Sequence, residues 1–306
     1  MKLKHVIESQ QFTLPMLVEL FNIADQMEHV LKRGGTMDYR GKIMASLFYE
    51  HSTRTRFSFE SAMLRLGGQV ISTERANTFS SVAAGETLED TIRVVNNYAD
   101  VIVLRHNEIG GAARAAAVSK IPIINAGDGK GGQHPTQALL DLYTIYKGIK
   151  TIEGVKVALV GNLADGRTVR SLAYLLGKFE RVKIYFVAPE SFQIKQDIQD
   201  YLSKHNVWYT LESDLRKVLP EVDVVYSTRI EPELLTQRGE RLETITQYFI
   251  DDNFLKLLPP HALVMHPLPR LLEISPTVDS DPRAVYFTQT HNGVLVRMAL
   301  LVSVLD

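Results

Sequence analysis

Two kinds of hydrophobic pattern alternate along the chain. Short apolar runs, "KIMASLFY" (42–49), "QVIST" (69–73), "DVIVLR" (100–105), "IPIINA" (121–126), "VKVALVG" (155–161), "VKIYFVA" (182–188), "VDVVYS" (222–227) and "ALVMH" (262–266), have the length and β-branched content of buried strands. Between them, residues 14–32, 54–66, 87–98, 135–147, 166–178, 193–204 and the closing "GVLVRMALLVSVL" carry the period of amphipathic helices. Strands that are apolar on both faces and separated by helices predict parallel sheets covered on each side, an α/β fold. A turn-rich break, "KGIKTIEG" (147–154), leaves four strand candidates on either side. The expected architecture is therefore two doubly wound parallel-sheet domains of similar size, with the division between 148 and 149.

Composition narrows the function classes. A chain of 306 residues, 45% hydrophobic, is long enough for two such domains. Lys plus Arg (34) and Asp plus Glu (35) nearly cancel, which leaves no bulk field for nucleic acid or an anionic membrane surface. Any anion site must be local. There is no cysteine, which excludes disulfides, thiolate metal sites and cysteine nucleophiles, and there is no His-Glu-x-x-His cluster to suggest a metal. The opening "MKLKHVIESQ" lacks the apolar stretch of a secretory signal, and no apolar run approaches the ~20 residues of a membrane span. The expectation is a cytoplasmic protein.

Chemistry is expected where parallel strands end, because loops and helix N-termini present donors there. Six of the runs end in polar clusters: "EHSTRTR" (50–56), "RH" (105–106), "GDGKGGQHPTQ" (127–137), "GNLADGRTVR" (161–170), "STR" (227–229) and "HPLPR" (266–270). Their cations are mostly arginine, which grips phosphate and carboxylate in two-pronged fashion, so the expected substrates carry several anionic groups. "STRTR" at a helix start is an anion cradle, or equally a capped helix with a solvated Arg54. His134 is a site histidine or a loop histidine with a structural hydrogen bond. "GNLADGR" lacks the glycines of a dinucleotide fingerprint, and no triphosphate loop is present.

Together, "STRTR", "HPTQALLDL" and "HPLPR", in this order and at these separations, resemble the transcarbamoylase superfamily, and within it the aspartate carbamoyltransferase catalytic chains. "GDGxxxQHPTQ", "HPLPR" and the late "NG" helix favour the aspartate branch. The resemblance covers essentially the whole chain. It implies a carbamoyl phosphate-binding domain, residues 1–148 plus a C-terminal helix 290–306 packing back on it, and an amino-acid-binding domain, 149–289. It also implies a reaction without cofactor or metal, in which the amine of L-aspartate attacks carbamoyl phosphate to give N-carbamoyl-L-aspartate and phosphate, a step of pyrimidine biosynthesis. By the same resemblance, Ser52, Thr53, Arg54 and Thr55 hold the phosphate, and Arg105 and His134 join Thr55 at the carbonyl oxygen. Gln137 and the backbone of Leu268 and Pro269 hold the carbamoyl nitrogen, Arg167 and Arg229 grip aspartate, and Glu50 braces closure through arginines that include Arg167. The implied assembly is a homotrimer with shared sites, open to regulatory chains or pathway enzymes.

Three positions depart from that pattern. In the loop implied to reach a neighbouring subunit, "SSVAAGET", Ser80 and Ser81 are present but Ala84 stands where a lysine is expected. In "RIEPEL", Glu231 replaces the expected glutamine, and Leu234 replaces the second closure arginine. A carboxylate beside the substrate carboxylates is unfavourable, and a lost lysine contact costs roughly 1.5–3 kcal/mol. Arg75 and Lys130 are candidate replacements for that cation. Two alternatives follow: a transcarbamoylase for a different amine acceptor, or a weak or silent chain kept as a structural or assembly partner.

Overall fold

Nine strands form among the described residues, 1–74 and 85–306 of a computed structural model, in two sheets whose strands all run parallel. The first contains β1 (Ile43–Phe48), β2 (Gln69–Glu74), β3 (Val101–Arg105) and β4 (Ile123–Asn125) in the order β2-β1-β3-β4. The second contains β5 (Lys156–Val160), β6 (Lys183–Val187), β7 (Trp208–Glu212), β8 (Val224–Ser227) and β9 (Leu263–Met265) in the order β7-β6-β5-β8-β9. In each sheet the chain reverses its direction of winding beside the first strand, so a topological switch point lies at β1/β3 and at β5/β8. Register places Phe48 opposite Arg105 and Val160 opposite Ser227, at those two points. The chain divides into two compact units, Met1–Leu140 with His291–Asp306, and Asp141–Thr290.

Eight of the strands fall on the apolar runs; β7 does not. It is an edge strand, "WYTLE", in which no residue is fully buried and Trp208 and Leu211 are exposed, so its sequence carries no continuous apolar signal. Its Trp208 packs edge-on to Tyr185 and under the Lys183 ammonium. The helix Gly111–Val118 is likewise invisible to periodicity, because "GAARAAAV" is almost uniformly small.

In the first unit, Ala45, Leu47, Ile102, Leu104 and Ile123 of the sheet pack with Leu88 and Ile92 of the helix Leu88–Val95. Each of these leucines and isoleucines, when fully withdrawn from water, contributes about 1.5–3 kcal/mol. The start of that helix is set by Thr87, whose hydroxyl accepts from the Asp90 N–H at 3.1 Å. The C-terminal helix, Tyr286–Leu305, supplies Arg297, which donates to the Ser58 hydroxyl at 2.6 Å and lies over the Phe59 ring. Ser303 accepts from the Leu3 N–H at 2.8 Å through its carbonyl, tying the two ends of the chain together.

Candidate active site

At the carboxyl edge of the first sheet, β1 runs through Glu50 into the helix Thr53–Arg65, with Ser52 as its N-cap. Thr53 and Arg54 are exposed at the first turn, whereas Thr55 is buried. N–H groups that have no intrahelical acceptor and the helix dipole make this turn an anion seat. The cations nearby divide by role. Arg56 reaches Glu74 at 3.0 Å and Glu60 at 3.7 Å, an internal pair that ties the helix to the end of β2. Arg54 points outward from the same turn.

Arg105 ends β3 and is 9% exposed. Its guanidinium donates to the Ala126 carbonyl at 3.2 Å and lies 3.4 Å from Glu50. Both contacts aim a fixed positive charge along the sheet edge. His106, next in sequence, accepts the Glu108 N–H on Nδ1 at 3.1 Å and packs against Tyr49. Burial pushes its pKa down, against the pull of Glu108.

The glycine-rich stretch after β4 is shaped by Asp128, whose carboxylate accepts from the Gly110 and Ala112 N–H groups at 3.3 and 3.2 Å. It thereby caps the helix Gly111–Val118 from a distance in sequence. Gly129 is required because a Cβ there would fall 2.5 Å from the Asn107 carbonyl oxygen. This fold-back delivers His134 and Gln137, both buried, at the start of the helix Pro135–Ile149, and the Thr136 hydroxyl lies 3.3 Å from His134 Nδ1. Lys130 is exposed on the same loop. Thr55, Arg105, His134 and Gln137 thus form a buried polar set on consecutive strand ends of one sheet. Such groups are retained in apolar surroundings only with partners or a bound ligand.

The second unit presents its own group. Gly161 follows β5 with φ 111°, and a Cβ on it would meet the Thr228 carbonyl oxygen at 2.2 Å, so the ends of β5 and β8 close tightly. The loop after it is pinned by Asn162, which accepts the Asp165 N–H at 3.2 Å, and by Arg238, which donates to Asp165 at 2.5 Å and lies over Phe192. Arg167 is the first residue of the helix Arg167–Leu176, half-buried. Arg229 lies two residues beyond β8, and its guanidinium is hydrogen-bonded to the Glu231 carboxylate. Leu234 is half-buried on the short helix Pro232–Gln237. An apolar hollow lined by Ile230, Ile245, Phe249, Leu271 and Leu272 lies beside these strand ends; neither Arg167 nor Arg229 lines it.

After β9, Leu268 has φ 55° and precedes a cis peptide bond to Pro269. Arg270, the last residue of "HPLPR", is turned away: it pairs with Asp279 and lies over Tyr286 and Phe287. Arg75, Ser80, Ser81 and Ala84 lie outside the described residues. Among the described residues, no cluster of three metal-ligating side chains occurs and no helix is long and apolar enough to cross a membrane. Asp128, Arg238 and the Arg56–Glu74 pair had no sequence signal, since each depends on a partner remote along the chain.

Residues 4–147 match the aspartate/ornithine carbamoyltransferase, carbamoyl-P binding domain, and residues 153–304 match the Asp/Orn binding domain of the same family. The chain is 54% identical to a chloroplastic aspartate carbamoyltransferase of Oryza sativa subsp. japonica, over 98% of this chain and 85% of the relative. It is 55% identical to the Arabidopsis thaliana counterpart, over 98% and 77%. A crystal structure of aspartate transcarbamoylase from Trypanosoma cruzi in complex with carbamoyl phosphate and aspartate superposes with a TM-score of 0.93 at 38% identity, covering 100% of this chain and 96% of that one. The plant relatives overturn the expectation of a cytoplasmic protein, for they are named chloroplastic. That expectation rested on missing cysteines and a missing secretory stretch, features that do not separate one reducing aqueous compartment from another.

Proposed function

Because the chain belongs to the aspartate/ornithine carbamoyltransferase family, we propose that it transfers the carbamoyl group of carbamoyl phosphate to the amine of L-aspartate. The observation that carries this reading is the buried set Thr55, Arg105, His134 and Gln137 on the strand ends that also hold the Ser52–Arg54 anion seat. A phosphate with a carbonyl attached needs both features: fixed donors for a dianion, and preorganised donors for the oxygen on which charge develops.

In this reading Ser52, Thr53, Arg54 and Thr55 take the phosphate, and Thr55, Arg105 and His134 polarise the carbonyl. Gln137 and the Leu268 and Pro269 carbonyls orient the nitrogen, and Arg167 and Arg229 hold the two carboxylates of aspartate. The amine lone pair attacks the carbonyl carbon, the carbon–oxygen bond to phosphorus breaks, phosphate leaves with that electron pair, and the amine loses a proton. No side chain serves as nucleophile, so catalysis rests on proximity, worth on the order of 7–11 kcal/mol, and on donors aimed at the developing charge.

The domain roles follow: residues 1–148 with 290–306 as the carbamoyl phosphate module, 149–289 as the amino-acid module. A homotrimer is the assembly we favour, with Ser80 and Ser81 reaching a neighbour's site. Its support is the apolar pair Phe57 and Leu64, 54% and 60% exposed and seven residues apart on one helix face, with the exposed edge-strand residue Ile71. Pyrimidine biosynthesis is the corresponding pathway, and regulatory chains or pathway enzymes are its natural partners.

A second reading, a different amine acceptor or a weak chain with an assembly role, is favoured by one observation: Glu231 already occupies Arg229. The test is production of N-carbamoyl-L-aspartate from carbamoyl phosphate, run over a panel of amines on this chain and on Ala84→Lys. Aspartate ahead of the other amines supports the first reading. No carbamoyl aspartate from either protein overturns it.

A further inference from the structure

The "HPLPR" loop carries a buried support that no residue role so far assigned makes use of. His266 is 2% exposed and is held on three sides. Its main-chain N–H donates to Gln289 Oε1 at 3.1 Å, and Gln289 in turn donates to the fully buried Asp141 at 2.5 Å. Its Nδ1 accepts the Leu268 N–H at 2.8 Å. Its Nε2 lies 2.9 Å from the carboxylate of Glu273, which is itself 7% exposed. Since Nδ1 accepts, the ring proton belongs on Nε2, facing that carboxylate.

Glu273 has a second task. Both its oxygens accept from the Leu271 N–H at 3.1 Å, and its carbonyl accepts from the Ile250 N–H at 2.8 Å. The segment 266–273 is therefore closed by the two side chains at its ends. The backbone they enclose includes Leu268 in the left-handed region, a conformation that a leucine adopts only when its surroundings enforce it. The Leu268 N–H hydrogen bond to His266 is made at this same residue and holds its peptide in place.

We propose that His266, buttressed by Glu273, is a positioning residue that aims the Leu268 and Pro269 carbonyls as acceptors for the carbamoyl nitrogen, and thereby sets the preference for a carbamoyl over an acetyl donor. The inference rests on the reading of those carbonyls given under Proposed function. Acetyl phosphate has the same phosphate and carbonyl but a methyl group where carbamoyl phosphate has NH₂, so only the latter can use the loop carbonyls.

The experiment is calorimetric binding of carbamoyl phosphate and of acetyl phosphate to the full chain, with thermal unfolding of each variant measured in parallel. In His266→Leu the acceptor for the Leu268 N–H is gone. Carbamoyl phosphate then weakens about tenfold, the size of one hydrogen bond, while acetyl phosphate is unchanged. His266→Asn restores the selectivity, since an asparagine side chain also accepts from the N–H two residues on. Glu273→Ala lowers selectivity in the same direction and serves where His266→Leu fails to fold. A folded His266→Leu or Glu273→Ala chain with undiminished selectivity overturns the inference, as does equal weakening of both ligands. Parent chain that binds the two alike overturns the reading of the carbonyls themselves.

Discussion

Arg229 rests its guanidinium on the carboxylate of Glu231, two residues further along the same loop. Both side chains are about a third exposed, 35% and 29%, so the pair is a modest one, on the order of 1 kcal/mol. An incoming dicarboxylate must nevertheless displace it. Glu231→Gln frees Arg229 and is expected to lower the KM for aspartate by about fivefold with kcat little changed. Steady-state kinetics with aspartate as the varied substrate check this; an unchanged KM means that Arg229 is not the aspartate contact.

Restoring a cation at position 84 tests the loop that lies outside the described residues. A lysine reaching phosphate and carboxylate contributes charge-assisted contacts of roughly 1.5–3 kcal/mol. Ala84→Lys is expected to raise kcat/KM for aspartate by roughly 10–100-fold. Turnover equal to that of the parent chain would mean that the missing charge is already supplied, and Lys130→Ala then identifies or eliminates one supplier.

Arg54 is exposed at the first turn of its helix, so its removal should not disturb the core. Arg54→Ala is expected to weaken carbamoyl phosphate and inorganic phosphate together by roughly 10–100-fold at unchanged melting temperature. Calorimetric titration with each ligand distinguishes this from the solvated arginine of an ordinary capped helix, whose loss would leave both affinities intact.

His106 makes stability depend on pH. Burial lowers its pKa in the folded chain, whereas the unfolded chain keeps a value near 6.5. As pH falls below about 6.5 the unfolded state takes up the proton first, so stability is full above that value and declines towards the folded pKa. His106→Asn keeps an acceptor for the Glu108 N–H and removes the titration. Urea unfolding between pH 5 and pH 7.5 (roughly the range in which histidine changes charge) should show a flatter dependence in the variant.

The layer architecture was legible because buried parallel strands announce themselves as unbroken apolar runs, and because Ser52–Arg54, Arg105 and His134 stand at their ends. What stayed hidden has particular reasons. β7 is an edge strand with no fully buried residue, and the alanine-rich helix Gly111–Val118 has no polar face to create a period. Asp128 reads as a turn residue until the helix it caps is brought against it, 16 residues away by sequence. Arg238 gains its meaning from Asp165, 73 residues distant. His266 was visible within "HPLPR", but its partners were not: Gln289 accepts its main-chain N–H from 23 residues away, and the Glu273 carboxylate lies against its Nε2.

The edge position of Trp208 has a practical consequence. It is the chain's only tryptophan and it belongs to the second unit, where it is 46% exposed with Tyr185 and Lys183 against its ring. Intrinsic emission excited at the indole band therefore reports that unit alone. A chain whose first sheet had opened while β5–β9 stayed folded would still fluoresce as native, and its far-ultraviolet circular dichroism would not. Disagreement between the two signals along one denaturant series would reveal the halves melting separately; agreement would mean that they melt as one cooperative unit.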